Sequence, residues 1–308
     1  MNMDIKRVLS LLSAVVVGLA VAACSDDGGT ENPNDRLKAE VENIDAYLTS
    51  KGITDAVKDP TGVRMVIFKL GTGYPAKVNL NSTVSVDYDG RLFPDGVSFD
   101  DGTTKAAIST YIDGWKIALG LLPEGSRARI YIPSAWAYGP SGHNAIPGNA
   151  TLEFDIEFTE LVRTSAELAQ LRTDSAAIDA YLTDKEIVAV KGDLGLRYVV
   201  TQQGSGAVPG LYDKLKFNIK YRLLSDDTKT VADFDFEPTD DYYSRAIDQL
   251  ADGVKKVLTT VPVGSKATLY LPSILAFGPL GASNSGTTVI PANVNIIVDI
   301  ELKEIVTP

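Results

Sequence analysis

Ile112-Asp113-Gly114-Trp115-Lys116-Ile117-Ala118-Leu119 reads as an apolar turn entering a short helix, with an indole in the first helical turn. An indole is bulky and carries a single N–H donor, so it either fills a core or floors a site. Its neighbours in the sequence bear on that choice. Upstream lie Val84-Ser85-Val86-Asp87-Tyr88-Asp89-Gly90 and Ser98-Phe99-Asp100; downstream lie Ile132-Pro133, Ala137-Tyr138-Gly139, His143, Ile146-Pro147 and Thr151-Leu152-Glu153-Phe154. Strand-like alternation runs through Val63 to Lys69, Thr83 to Leu92, Arg127 to Ile132 and Thr151 to Leu161. Strands with one short helix among them predict an α+β unit, an antiparallel sheet curled around that helix.

The pattern occurs twice. Ile44-Asp45-Ala46-Tyr47-Leu48-Thr49 recurs letter for letter as Ile178-Asp179-Ala180-Tyr181-Leu182-Thr183. Beyond it Gly62-Val63-Arg64 aligns with Gly195-Leu196-Arg197, Tyr88 with Tyr221, Asp113-Gly114 with Asp252-Gly253 and Ile146-Pro147 with Ile290-Pro291. Strand patterns return in Leu196 to Gln202, Lys214 to Leu224, Lys266 to Leu271 and Asn295 to Ile305. Two units this long are a tandem duplication rather than a solenoid. Each opens with an amphipathic helix: Leu37, Val41, Ile44 and Leu48 share one face, and Leu168, Leu171, Ile178 and Leu182 do so in the second copy. Thr164 with Glu167 forms a capping box, and this longer helix is expected to connect the domains.

The first 24 residues are read as a secretory signal: Lys6 and Arg7, an apolar run from Val8 to Ala20, then Val21-Ala22-Ala23 before Cys24. Residues 25–35 are an acidic tether with nothing to bury. The two folded domains are expected over 36–162 and 163–308. The placement of Cys24, the single cysteine, resembles the lipobox of bacterial lipoproteins, which implies diacylation there and export to a membrane, with the outer membrane as the expected site.

The order and spacing around Trp115 resemble the FKBP family of peptidyl-prolyl cis-trans isomerases. The resemblance implies two tandem FKBP-like domains, with proline-containing polypeptides as substrates and no cofactor. It implies Trp115 as the floor of an apolar box, walled by Tyr88, Phe99, Ile112, Ile146 and Phe154. Tyr138 would donate its hydroxyl to a substrate carbonyl, Asp100 would face the bound amide, and His143 would line the rim without acid-base work. The pattern departs from the family between Asp100 and Ile112, where the chain is short and Ala106 stands at an aromatic wall position; Tyr111 is expected to replace part of that wall. In the second copy Trp115, Tyr138, His143, Ile112 and Phe154 align with Val254, Phe277, Ala282, Ala251 and Val298, with Phe234 and Asp235 opposite Phe99 and Asp100, which predicts a module without isomerase activity. The rival readings are a non-catalytic peptide-binding module or chaperone, and a surface interaction protein.

Other chemistries fit poorly. One His and one Cys leave no soft-metal cluster. Asp233, Asp235 and Glu237 alternate along a strand but lack the spacing of a calcium loop, and are read as a solvated face. A net charge of -11 without a basic stripe argues against nucleic acid.

Overall fold

The computed structural model describes residues 32–77, 81–236, 250–284 and 287–306. Cys24 and the signal segment, most of the tether, and Glu237 lie outside the described residues. The described chain falls into two compact units that meet in sequence between Arg163 and Thr164.

In the first unit helix α1 (Pro33–Ser50) precedes strands β1 (Val57–Lys58), β2 (Arg64–Lys69), β3 (Thr83–Leu92) and β4 (Ser98–Ala107). Helix α2 (Asp113–Leu121) and strands β5 (Arg127–Ile132) and β6 (Leu152–Val162) follow. The strands form one antiparallel sheet in the order β1-β2-β5-β6-β3-β4. Helix α1 begins at Pro33, inside the stretch read as tether, because the Asn32 side chain accepts the Asn34 N–H at 3.0 Å and proline opens the first turn.

Alternation along the strands gives the sheet two different faces. Val84, Val86, Ile130, Ile132, Leu152 and Ile156 are buried on the inner face against Ala118 and Leu119 of α2. Gly114 lets this helix approach: a Cβ there would overlap the Ile132 side chain. On the outer face Tyr131 meets Ile44 and Leu48 of α1, with Tyr47 and Phe93 packed around it. The rest of that face carries charge. Arg129 makes two bonds to Asp155, both at 2.7 Å, and Arg91 bridges Asp89 and Asp155. Burial pushes the Asp155 carboxyl up, yet the bonds and charges of Arg129 and Arg91 hold it lower overall.

The second unit repeats this plan with α3 (Ser165–Asp184), β7 (Val190–Lys191), β8 (Arg197–Gln202), β9 (Lys214–Leu223), β10 (Asp226–Phe236), α4 (Asp252–Leu258), β11 (Lys266–Leu271), β12 (Ala282–Asn284), β13 (Thr287–Ile290) and β14 (Ile296–Val306). Its main sheet has the order β10-β9-β14-β11-β8-β7, and β12 and β13 pair separately as a hairpin. Thr164 and Glu167 form the expected capping box. The helix belongs to this unit as α1 belongs to the first: Ile178 and Leu182 pack with Tyr270 and Ile297. Leu168, expected on the buried stripe, is 40 % exposed; Asp174, 3 % exposed, faces inward and accepts from the Ser273 backbone N–H at 2.9 Å and its hydroxyl at 2.5 Å. Glu40 does the same for Ser134 in the first unit, at 2.7 Å to each.

The letter-for-letter repeat has a structural reason. Asp45 takes a fork from Arg64 (Nε 2.9 Å, Nη2 3.1 Å), and Asp179 takes the same fork from Arg197 at the same distances. Each unit thus ties its leading helix to the start of a sheet strand.

Two readings need correction. The sheets have six strands each, more than the four per unit read from alternation: β4 is a polar edge strand without apolar alternation, β1 and β7 are only two residues long, and β10 is the edge strand that contains the alternating Asp233 and Asp235. The pairing of Tyr88 with Tyr221 also fails. Opposite β6, Tyr88 pairs with Ile156 and Gly90 with Phe154; opposite β14, Ile219 pairs with Ile300 and Tyr221 with Val298. Since Leu269 pairs with Val298 as Ile130 pairs with Phe154, Ile219 stands in the place of Tyr88 and Tyr221 in the place of Gly90. Phe234 and Asp235 pair with Ile219 and Asn218, the register of Gly102 and Thr103; the place opposite Gly90 held by Asp100 is taken by Ala232 opposite Tyr221.

Candidate active site

The inner face of the first sheet ends in a cleft built from four elements. Strand β3 supplies Tyr88, β4 supplies Phe99 and Asp100, α2 supplies Trp115 and β6 supplies Phe154. Trp115 and Phe154 are each 4 % exposed. Edge-to-face contacts join them: Trp115 lies 5.3 Å from Phe154 and 5.4 Å from Tyr88, and Phe99 lies 5.5 Å from Phe154, with interplanar angles of 79–88°. Such geometry sets the electropositive edge of one ring on the face of the next. Gly90 makes it possible, since a Cβ there would stand 2.6 Å from Phe154 and 2.8 Å from Phe99.

Tyr111 joins this group as expected, 5.0 Å from Trp115, and its hydroxyl meets that of Thr104 at 3.1 Å. Thr104, on the edge strand, drew no notice in the sequence because a threonine in a polar stretch carries no signal of its own. Ile112 caps the start of α2, half-buried against the cleft core, and Ile146 is 6 % exposed beside it.

The polar groups are few. Tyr88 donates its hydroxyl to Asp100 at 2.9 Å. Burial, then this bond, pushes the Tyr88 phenol up to about 12. Burial and, after it, the Asp100 charge raise the Tyr138 phenol as well. Both phenols are therefore neutral hydroxyls at neutral pH. His143 is exposed and lies flat on Tyr138, with ring centroids 4.9 Å apart at 11°, while its backbone exchanges two hydrogen bonds with Ile146 (2.9 and 2.8 Å). The Trp115 indole N–H is buried and has no hydrogen-bond partner among the described residues. This free donor could not be anticipated from sequence, which gives the residue but not its surroundings.

Of the ten side chains singled out in this domain, Tyr88, Phe99, Tyr111, Trp115 and Phe154 form one linked set of rings, with Asp100 bonded to Tyr88. Tyr138 and His143 form a separate stacked pair, whose Tyr138 senses the Asp100 charge.

In the second unit the corresponding place is taken by a large side chain. Tyr221 is 1 % exposed, lies 5.7 Å from Phe277, and occupies the place of Gly90 opposite the small Val298. Large and small residues have exchanged sides. The Tyr221 hydroxyl is buried without a partner among the described residues, and burial raises it far above the usual phenol range.

Residues 74–159 match the family model described as FKBP-type peptidyl-prolyl cis-trans isomerase, a span that contains all ten of these side chains. The FKBP-type peptidyl-prolyl cis-trans isomerase FkpA of Aeromonas hydrophila is 32 % identical over 53 % of this chain and 59 % of its own length. The outer membrane protein MIP of Legionella longbeachae is 37 % identical over 39 % of this chain and 54 % of its own. A solved peptidyl-prolyl cis-trans isomerase from Pseudomonas syringae pv. tomato is 32 % identical over 44 % of this chain and all of its own, with a TM-score of 0.36. The chain spans about half the length of the curated relatives it matches.

Proposed function

Since the chain belongs, through residues 74–159, to the FKBP-type peptidyl-prolyl cis-trans isomerases, we propose that its first domain isomerises X-Pro bonds of polypeptides outside the cytoplasm. The observation that carries the reading is the ring of Tyr88, Phe99, Trp115 and Phe154, with hydroxyl donors held neutral beside Asp100. An X-Pro bond exchanges in tens to hundreds of seconds because a barrier of about 18–20 kcal/mol protects amide resonance. As the amide twists, its carbonyl loses negative charge and its nitrogen loses planarity. An apolar box therefore favours the twisted form over the dipolar planar one.

Trp115 is the floor on which the proline ring rests, and Tyr88, Phe99, Tyr111, Ile112, Ile146 and Phe154 enclose it. Tyr138 donates to a substrate carbonyl, and Asp100, oriented by Tyr88, faces the bound amide. His143 steadies Tyr138 by stacking and moves no proton. Because 1.36 kcal/mol is tenfold in rate, a thousandfold acceleration needs only about 4 kcal/mol. The second domain, its cleft occupied by Tyr221, performs no isomerisation. The chain is lipid-anchored at Cys24, in keeping with the lipobox-like Val21-Ala22-Ala23-Cys24, and faces the periplasm or the cell surface. Among the described residues no helix is long and apolar enough to cross a membrane.

The test is isomerisation of a short X-Pro peptide by the full chain. Acceleration that disappears in Trp115→Ala supports the proposal. A wild-type chain that leaves the rate unchanged yet binds the peptide supports the peptide-binding reading instead.

A further inference from the structure

Building on the isomerase reading of the first domain, we infer that Trp136 is a positioning residue for that site: its indole N–H ties the turn that carries Tyr138 to the Thr61 turn, so that the Tyr138 hydroxyl is held where it meets the substrate carbonyl. The turn Ser134–Trp136 follows β5 and leads through Ala137 to Tyr138, with Trp136 and Tyr138 both half-buried against the cleft core. It is held at two points. Glu40 of α1 accepts the Ser134 backbone N–H and hydroxyl, each at 2.7 Å. Two residues on, the Trp136 indole N–H donates to the Thr61 carbonyl at 2.7 Å, the short end of the range for such bonds.

The Thr61 carbonyl is itself fixed. The Asp59 side chain accepts the Thr61 N–H at 2.8 Å, and the Asp59 carbonyl accepts the Gly62 N–H and an Arg64 Nη1–H, both at 3.0 Å. Arg64 is the residue forked onto Asp45 of α1. Both points of attachment therefore lead back to α1 and the loop after it, which precede the span 74–159 matched by the family model.

The second repeat supplies the contrast. Asp174 holds Ser273 as Glu40 holds Ser134, but Leu275 stands in the place of Trp136 and Phe277 in that of Tyr138. The two turns share one backbone shape: φ and ψ are -115° and -114° at Ala137, -112° and -110° at Ala276. Leucine therefore suffices to form the turn, and the indole bond adds a second tether only in the repeat that has a hydroxyl to aim. A segment held at one point can pivot about it, and a misplacement of about 1 Å can cost about a hundredfold in rate.

A double-mutant cycle on the full chain, read as kcat/KM for a short X-Pro peptide, tests this role. Trp136→Phe keeps a ring and removes the N–H; Trp136→Leu installs the residue with which the second repeat folds. Each should lower kcat/KM about two- to tenfold, the net worth of one hydrogen bond, and neither should lower it further in a Tyr138→Phe background. An equal loss in both backgrounds would mean that Trp136 acts on the cleft by another route, and no loss in the wild-type background that it only fills space; either result overturns the inference. A second readout needs no activity. His143 is the single histidine, its ring is stacked on Tyr138 at 4.9 Å and its backbone is tied to Ile146, so its imidazole proton resonances report the Tyr138 ring from a separate anchor. In both Trp136 variants those resonances should move toward the values of an unstacked imidazole. If the wild-type chain leaves the peptide rate unchanged, the isomerase reading fails while the tether is still judged by this shift, and resonances that stay in place overturn the tether as well.

Discussion

Gly90 is the smallest residue of the cleft and decides its shape. Phe99 and Phe154 meet over the space that a side chain would take. Gly90→Ala should therefore spread the two rings, lowering stability by about 1–3 kcal/mol, the usual range for overpacking, with a larger fractional loss of isomerase rate than of peptide affinity. Thermal melts and rates on one X-Pro peptide give both numbers. Tyr138→Phe removes a hydroxyl and little volume, so the fold should be unchanged and the rate should fall about five- to thirtyfold, equivalent to about 1–2 kcal/mol of transition-state stabilisation. His143→Ala should cost less, since stacking on Tyr138 is its one contribution to the cleft. Between pH 6 and 8 the rate should be flat. The raised phenols stay protonated across that range, and a bell-shaped profile would show that a proton is being moved.

At the scale of elements, the fork between Arg64 and Asp45 joins α1 to the sheet, and the bond from Arg64 is the main reason the Asp45 carboxyl lies below its ordinary value of 3.8. A carboxylate whose folded pKa is depressed stabilises the fold above its unfolded pKa, and that contribution fades as pH falls through the folded value. Denaturant midpoints should thus be constant down to about pH 5 and drop below about pH 4. Asp45→Asn should cost about 1–2 kcal/mol at pH 6 and less at a pH low enough to protonate the wild-type carboxyl in the folded chain. An equal cost at both pH values would mean that the side chain matters for packing rather than charge.

For the whole molecule, the repeats share a plan and differ in where they place their large side chains. The first unit sets Trp115 and Phe154 on the inner face of its sheet and packs Phe93 under its helix; the second has Tyr221 in the place of Gly90 and Leu224 in the place of Phe93. If isomerisation belongs to the first unit alone, Trp115→Ala in the full chain should reduce the rate to that of buffer, and Phe277→Tyr should not restore it. Recovery in Phe277→Tyr would mean that the second cleft admits substrate despite Tyr221. Anchoring is tested separately. Native protein should partition into detergent and Cys24→Ser should not, since two acyl chains bind a bilayer stably where one binds marginally.

What the chain determined by itself was the part written in local pattern. Alternation, the steps of α1, the capping box at Thr164 and the repeated Ile-Asp-Ala-Tyr-Leu-Thr are properties of neighbours along the chain, so the α+β units and their duplication could be read directly. The aromatic residues of the first cleft were legible for a related reason: each sits at a fixed step within its own strand or helix. Cross-strand register was decided only in three dimensions. It depends on bulges and insertions that shift one strand against another by two residues without changing which face is buried. That is why Tyr221 looked like the partner of Tyr88 and stands instead where Gly90 does. The polar edge strand β4 was hidden because its pairing is made by backbone atoms, which every residue carries. The shallow groove beside Leu224 was hidden too, because its walls, Ala177, Tyr181, Leu224 and Asn295 among them, come from residues far apart in the chain.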